Sequence, residues 1–259
     1  MYIDSHCHLD RIDLTPYEHD FAKFVQDAEQ QGIQHMLCIA IDLESYPALF
    51  EQILPYPNIS LSVGVHPNVT DGHDPSIEEL LVLAEHQKVI AIGETGLDYF
   101  HGKGDLDWQK QRFKNHIQVA KDLKKPLIIH TRNADQDALD VLRQEGADQV
   151  GGIIHCFTED WEYAQKAIDL NFYISFSGIV TFKNALAIKE VAQKISADRF
   201  LIETDSPYLA PVPFRGKPNY PTYVRYVAEH IAELRQVPVD EIAKQSSANF
   251  YSLFPGLKA

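Results

Sequence analysis

Short apolar runs alternate with amphipathic stretches along the whole chain. The apolar runs predict strands at residues 2–6, 35–41, 59–65, 89–94, 126–130, 151–155, 172–176 and 200–204. Between them, apolar positions recur with the helical period at 17–31, 43–53, 76–86, 106–123, 134–144, 161–170, 185–195 and 222–234. Gly32 ends the first of these helices and Pro55 stops the second, while Asp74 or Ser76 is the expected cap of the third. Strict strand–helix alternation argues for a parallel sheet covered by helices. Eight units that close on themselves fit a single (β/α)8 barrel of the TIM type, class α/β, better than an open sheet. A stretch at 239–253 reads as an extra C-terminal helix. No linker, low-complexity segment or internal repeat interrupts residues 1–259, so one barrel domain is expected.

Length and composition agree with that reading. The 259 residues are close to the ~250 typical of such a barrel. Hydrophobic residues make up 45 %, and no apolar run is long enough to span a bilayer. The opening MYIDSHCHLD has neither a basic region nor an apolar signal core, so a cytoplasmic protein without a membrane partner is expected. Three scattered cysteines, Cys7, Cys38 and Cys156, suit reduced thiols rather than a disulfide framework. A net charge of −14 argues against coating nucleic acid through many Lys and Arg contacts. It does not argue against gripping one or two phosphates through metal ions, which make the local field positive.

The chemistry lies where the apolar runs stop. His6 and His8 close the first strand, His66 the third, Glu94 the fourth, His130 the fifth and His155 the sixth, and Asp205 follows the eighth. Barrel active sites form at that carboxyl end of the strands, so residues scattered over two hundred positions are gathered on one rim. In a strand, i and i+2 share a face, so His6 and His8 can aim at one metal while Cys7 points away. Glu94 has two oxygens and can bridge two ions. His130 and His155 can complete a second site, and Asp205 can bind the first ion and take a proton from water. An ion in such a site lowers the pKa of water from ~16 towards ~7.

Other residues carry competing readings. A lone histidine after a strand is more often a loop or core residue, and His19, His35, His73, His86, His116 and His230 are read that way. His101 stays open. His66 is read as a hydrogen-bond partner of substrate or water before a metal ligand. Cys156 reads as a small buried side chain beside His155. Glu203 shares strand parity with Asp205, which makes it a candidate to orient a histidine ligand from behind. Arg132 and Arg215 present planar forks that match phosphate oxygens, against an equal case for bracing loops. Lys103 and Lys217 read as surface charges. Tyr99, Phe100 and Trp108 offer faces for base stacking, with packing as the commoner use of such rings.

The ordered motifs resemble the TatD family of metal-dependent hydrolases, within the amidohydrolase-like barrels. They are DSHCHLD at 4–10, GVHP at 64–67, AIGETGLDYF at 91–100, KPLIIHTRNA at 125–134, GGIIHCF at 151–157 and LIETDSPYLAP at 201–211, with RGKPN at 215–219 and NFYSLF at 249–254. The resemblance implies metal ligands His6, His8, Glu94, His130, His155 and Asp205, two divalent ions (Zn, Mn or Mg), and a glutamate bridge at Glu94. It implies a deoxyribonuclease; on the reading of the residues above, Asp205 and Glu94 are its catalytic candidates and His66, Arg132 and Arg215 its substrate-binding candidates. A 3′-end exonuclease on single-stranded DNA suits an acidic protein with a compact site, with strand ends as the partner and no obligate protein partner. The alternative is a small-molecule amide, ester, lactone or phosphoester hydrolase on the same metals, since barrel and metals alone do not choose the bond. A non-catalytic binding protein fits poorly with an intact ligand set. One departure is visible: Tyr220 stands where the family often has a glutamate in an RNEP-like stretch, which leaves substrate preference open.

Overall fold

The computed structural model describes residues 1–257. Eight strands form one sheet in chain order: β1 (Tyr2–Cys7), β2 (Ile33–Cys38), β3 (Ile59–Val63), β4 (Val89–Asp98), β5 (Leu127–Arg132), β6 (Gly152–Ile154), β7 (Phe172–Phe176) and β8 (Phe200–Ile202). The ladders β1–β2, β3–β4, β4–β5, β5–β6 and β6–β7 are parallel, and β1 bridges in parallel to the end of β8 through Cys7 and Ser206. This is the (β/α)8 TIM-type fold that the alternation predicts. The helices are α1 (Phe21–Gln30), α2 (Tyr46–Ile53), α3 (Ile77–Ala84), α4 (Asp107–Leu123), α5 (Asp135–Gln144), α6 (Trp161–Asp169), α7 (Leu186–Lys194), α8 (Val224–Arg235) and the added α9 (Val239–Leu253). None of them is long and apolar enough to cross a membrane.

Contacts divide the chain into two compact units. The first holds residues 1–38, 156–161 and 175 onward; the second holds 39–155 and 162–174.

In the first unit, α1 starts at Phe21 rather than at 17. Glu18 and His19 both take positive φ (56° and 61°), which breaks helical geometry, and Asp20 then caps the helix by accepting from Ala22 N and Lys23 N. Phe24, Val25 and Ala28 form its buried stripe. Each such large apolar side chain contributes about 1.5–3 kcal/mol on full burial. Helix α9 seals β8: Ser246 Oγ accepts from Ile202 N (3.1 Å), and Asn249 Nδ2 donates to Ala197 O and Phe200 O (2.9 and 2.8 Å). Cys7, Cys38 and Cys156 are all free thiols.

In the second unit, β3 is buried along its whole length, as a strand covered on both faces must be. Ser76, not Asp74, caps α3, in a reciprocal box with Glu79. Strand β4 runs to Asp98, four residues past its expected end. Its glycines let strands approach. Gly96 pairs with His130 in register, at φ +140°, and a Cβ there would lie 2.0 Å from the His130 carbonyl oxygen.

Candidate metal centre

The first ligand group is built by the meeting of β1 and β8. Asp205 N donates to His6 O (2.9 Å) and His8 N to Ser206 O (2.8 Å), so the backbone holds Asp205 against the two histidines. His6 Nε2 lies 3.6 Å and His8 Nε2 3.3 Å from Asp205 Oδ1. Cys7, between them, turns its thiol to Leu37 O at 3.5 Å, as strand parity predicts. Asp205 has φ 56°, a left-handed backbone that aspartate tolerates better than most residues.

Behind this group sits Asp4, fully buried. It accepts from Thr204 N (2.9 Å) and His6 N (3.3 Å) and shares a 2.5 Å hydrogen bond with the Thr204 hydroxyl. Burial pushes its carboxyl up to about 8 against those hydrogen bonds. Asp4 thus ties the end of β1 to the segment that carries Asp205. Asn219 does similar work from further along the chain: its buried amide donates to Thr204 O (2.9 Å) and Tyr208 O (2.6 Å). Glu203 is buried and accepts from Cys156 N at 2.7 Å; it also offers an oxygen within 4.8 Å of a His6 nitrogen.

The second group surrounds Glu94. Its Oε1 is 2.7 Å from His155 Nε2, 3.1 Å from His130 Nδ1 and 3.5 Å from His66 Nε2. Burial raises the Glu94 carboxyl, but the imidazoles of His155 and His66 and hydrogen bonds from His130 and His155 outweigh it and hold the group well below the usual range. His66 is pushed down by burial, partly offset by Glu94. His66 thus lies beside this cluster, with Nε2 3.5 Å from Glu94 Oε1.

Asp98 is a residue the sequence reading missed. It is fully buried, and its Oδ2 lies 3.2 Å from His130 Nε2, 2.9 Å from His101 Nδ1 and 2.8 Å from Asn68 Nδ2. Burial opposes ionisation, yet the hydrogen bonds from His130, His101 and Asn68 hold the carboxyl far below the usual range. His130 is thereby held between two carboxylates, Glu94 on Nδ1 and Asp98 on Nε2. Whichever nitrogen binds an ion, the other has a carboxylate to orient it. The available signal was strand parity: Asp98 lies four residues after Glu94 and shares its face if the strand continues.

One face of α4 braces this cluster through Gln109, Arg112 and His116. Gln109 Oε1 accepts from Asp98 N (2.9 Å), and its Nε2 donates to Pro67 O and Asp98 O (3.2 and 3.1 Å). Arg112 donates to His66 O and Val69 O, both at 2.9 Å, and pairs with Asp74. His116 donates from Nδ1 to Arg112 O (2.8 Å) and accepts from Val65 N at Nε2 (3.0 Å), which requires the neutral ring. Burial pushes its pKa down to about 4 from 6.5. The unfolded chain therefore binds a proton that the fold rejects, and stability declines as pH falls from about 6.5 to about 4. This one group accounts for about 3 kcal/mol of that decline. H116Q is expected to be less stable at pH 7 but to lose much less on acidification, as urea unfolding at pH 7 and about pH 4 will show; an equal loss in both proteins rules the explanation out.

Both groups bring nitrogen and oxygen close to the separation that a shared ion sets, with His155–Glu94 tighter at 2.7 Å and His6–Asp205 wider at 3.6 Å. Ligand atoms about 2.1 Å from a tetrahedral or octahedral ion stand about 3.0–3.4 Å apart. The nitrogen–oxygen spacings are 3.3 and 3.6 Å in the first group and 2.7–3.5 Å in the second. The triads His6–His8–Asp205 and His66–Glu94–His130 each offer ligand atoms within 4.8 Å of one another. Imidazole nitrogen with carboxylate oxygen suits zinc and other divalent first-row ions.

The profile of TatD-related DNases matches residues 3–255. The chain belongs to this family. It is 46 % identical over 253 residues to YcfH of Escherichia coli K12, named a metal-dependent hydrolase, covering 97 % of this chain and 95 % of that one. To YabD of Bacillus subtilis, named likewise, it is 43 % identical over 257 residues, covering 98 % and 99 %. The solved structure of YjjV, a TatD homologue of E. coli K12, superimposes with a TM-score of 0.88 at 29 % identity, covering 98 % of each chain. With two ligand clusters in place, this TatD-family protein is a metal-dependent hydrolase.

The expected phosphate grips are not spent on ion pairs. Arg132, at the end of β5, has its Cζ 4.0 Å from the centre of the Phe100 ring, and Arg215 lies 4.3 Å over Phe182. Among the described residues neither makes a hydrogen bond or salt bridge, so the loop-bracing alternative reduces to ring stacking. Tyr99 donates to Asp137 (2.7 Å), a packing role. Tyr220 donates its hydroxyl to Asp13 O (3.1 Å) and packs edge-on against Tyr17 and Tyr223, so this side chain closes a loop contact.

Proposed function

We propose that the protein hydrolyses phosphodiester bonds at the 3′ ends of single-stranded DNA in the cytoplasm. In this reading His6, His8 and Asp205 hold one divalent ion and Glu94, His130 and His155 hold the other. The observation that carries it is the pair of histidine–carboxylate clusters in a chain matched almost end to end by the profile of TatD-related DNases.

Bound ions would make water acidic and offset charge on the phosphoryl oxygens. The chain's own residues do the rest. Asp205 accepts the proton of the attacking water, the water oxygen bonds to phosphorus, and the bond to the leaving deoxyribose 3′ oxygen breaks, that oxygen taking a proton from solvent. Asp4 and Asn219 keep Asp205 where it can do this, and Asp98 keeps the His130 ring in one orientation. Arg132 and Arg215 grip the phosphate with N–H donors that no carboxylate competes for.

The test is end-labelled single-stranded DNA with Mg, Mn or Zn. Mononucleotides released from the 3′ end are expected. No release with any of the metals, beside an active control nuclease, overturns the reading, and hydrolysis of a lactone or ester panel in its place favours a small-molecule substrate. R132A is expected to lower kcat/KM for an oligonucleotide by about tenfold or more, while turnover of a small activated phosphodiester falls far less. Equal losses on both substrates speak against a phosphate grip.

A further inference from the structure

Three side chains given no contact with substrate above meet in the second unit. His101, Lys103 and Trp108 line a cavity of about 540 Å³ together with Asn68, Asp74 and Arg112. It adjoins the Glu94 cluster. Asn68 Nδ2 and His101 Nδ1 both lie on Asp98 Oδ2, at 2.8 and 2.9 Å, and that oxygen is 3.2 Å from His130 Nε2. The inner wall of the cavity is therefore one hydrogen bond away from a residue of the ligand cluster.

Its chemistry is that of a site for an aromatic anion. Trp108 is half-buried, and the Arg112 guanidinium carbon lies 4.7 Å from the ring centre. Arg112 is itself buried and fixed by Asp74 and by the carbonyls of His66 and Val69. The indole thus rests on a rigid plane. Lys103 is exposed and, among the described residues, has no hydrogen-bond or ion-pair partner. Asp74, the carboxylate in the lining, is taken by Arg112. His101 Nδ1 lies on the Asp98 carboxylate, which leaves Nε2 to hydrogen-bond a base or a sugar hydroxyl. The volume lies within the range of small-ligand sites.

We infer that this cavity is a subsite for one nucleotide of the substrate strand. The base lies on the Trp108 face, the phosphate meets the Lys103 ammonium, and His101 Nε2 hydrogen-bonds the base or sugar. The inference deepens the nuclease reading and rests on it for the identity of the strand. Ring stacking is tolerant of sequence, so such a subsite holds a strand without choosing its bases.

The chain has two tryptophans, so W161F leaves Trp108 as the sole indole reporter. In metal-loaded W161F protein, thymidine 5′-monophosphate is expected to quench Trp108 fluorescence saturably. Deoxyribose 5-phosphate, which has no base to stack, is expected to leave it unchanged. Adding K103A is expected to raise the Kd for the nucleotide by about fivefold or more. No quenching, or an equal response to the sugar phosphate, overturns the subsite. DNA hydrolysis by the unaltered protein separates the two ideas. Hydrolysis without a Trp108 response removes the subsite alone; a Trp108 response without hydrolysis keeps the nucleotide cavity and removes the nuclease reading. If W161F does not fold, K103A in the otherwise unaltered chain is read by KM for a trinucleotide, expected to rise about fivefold or more; an unchanged KM overturns the subsite.

Discussion

D205N is expected to lower phosphodiester turnover by about a thousandfold or more, with the protein still folded. Asparagine keeps the shape of the side chain and tolerates the same left-handed backbone (φ 56°). The backbone bond from residue 205 to His6 O is untouched by the change. What is lost is the negative charge facing His6 and His8 and the ability to take a proton from water. Initial rates on a small activated phosphodiester at saturating Mn, beside a thermal melt, separate the two effects. A Tm within a few degrees of the unaltered protein with activity nearly gone is the expected pair of results. Retention of a tenth or more of the activity means that another group accepts the proton.

E94Q attacks the other cluster and is expected to cost as much activity by a different route. Three imidazoles surround Glu94 Oε1 within 2.7–3.5 Å, and the carboxylate is their shared anionic centre. The glutamine amide is neutral and binds ions weakly, so the histidines lose the charge that favours a cation among them. Metal content per chain after gel filtration, read by elemental analysis, is expected to fall from two ions to one or none, with turnover down about a thousandfold. Because His130 keeps its contact with Asp98, at 3.2 Å, part of the cluster persists and the fold is expected to survive. Two ions retained with full activity contradict any ligand role for Glu94.

The sequence was most informative where strands end. His6, His8, His130, His155 and Asp205 could be picked out because each follows an apolar run, at the strand ends where barrel enzymes carry their chemistry. Strand parity also told which way Cys7 would point. Asp98 was not legible, because the apolar run that marks β4 stops before it and Gly96 stands between. Only the packed structure shows that Gly93 and Gly96 serve the approach to β5, at Ile128 and His130. The supports were invisible for a related reason. Gln109, Arg112 and His116 act through carbonyls and amides of distant segments, and no spacing in the sequence marks them. Asn219 sits in a Pro-rich loop whose path depends on tertiary contacts. Helix ends moved for local reasons: α8 begins at Val224, not 222, because Pro221–Tyr223 forms a separate 3-10 turn. Helix α9, with strong helix formers and no internal breaker, spans Val239–Leu253 as the pattern predicts.

The most direct measurement is a titration of the metal-free protein with Mn, following bound ions per chain and phosphodiester hydrolysis in the same samples. Activity that rises with occupancy and levels off at two ions per chain is the predicted result. A plateau at one ion, or hydrolysis with none bound, contradicts an ion held by each cluster.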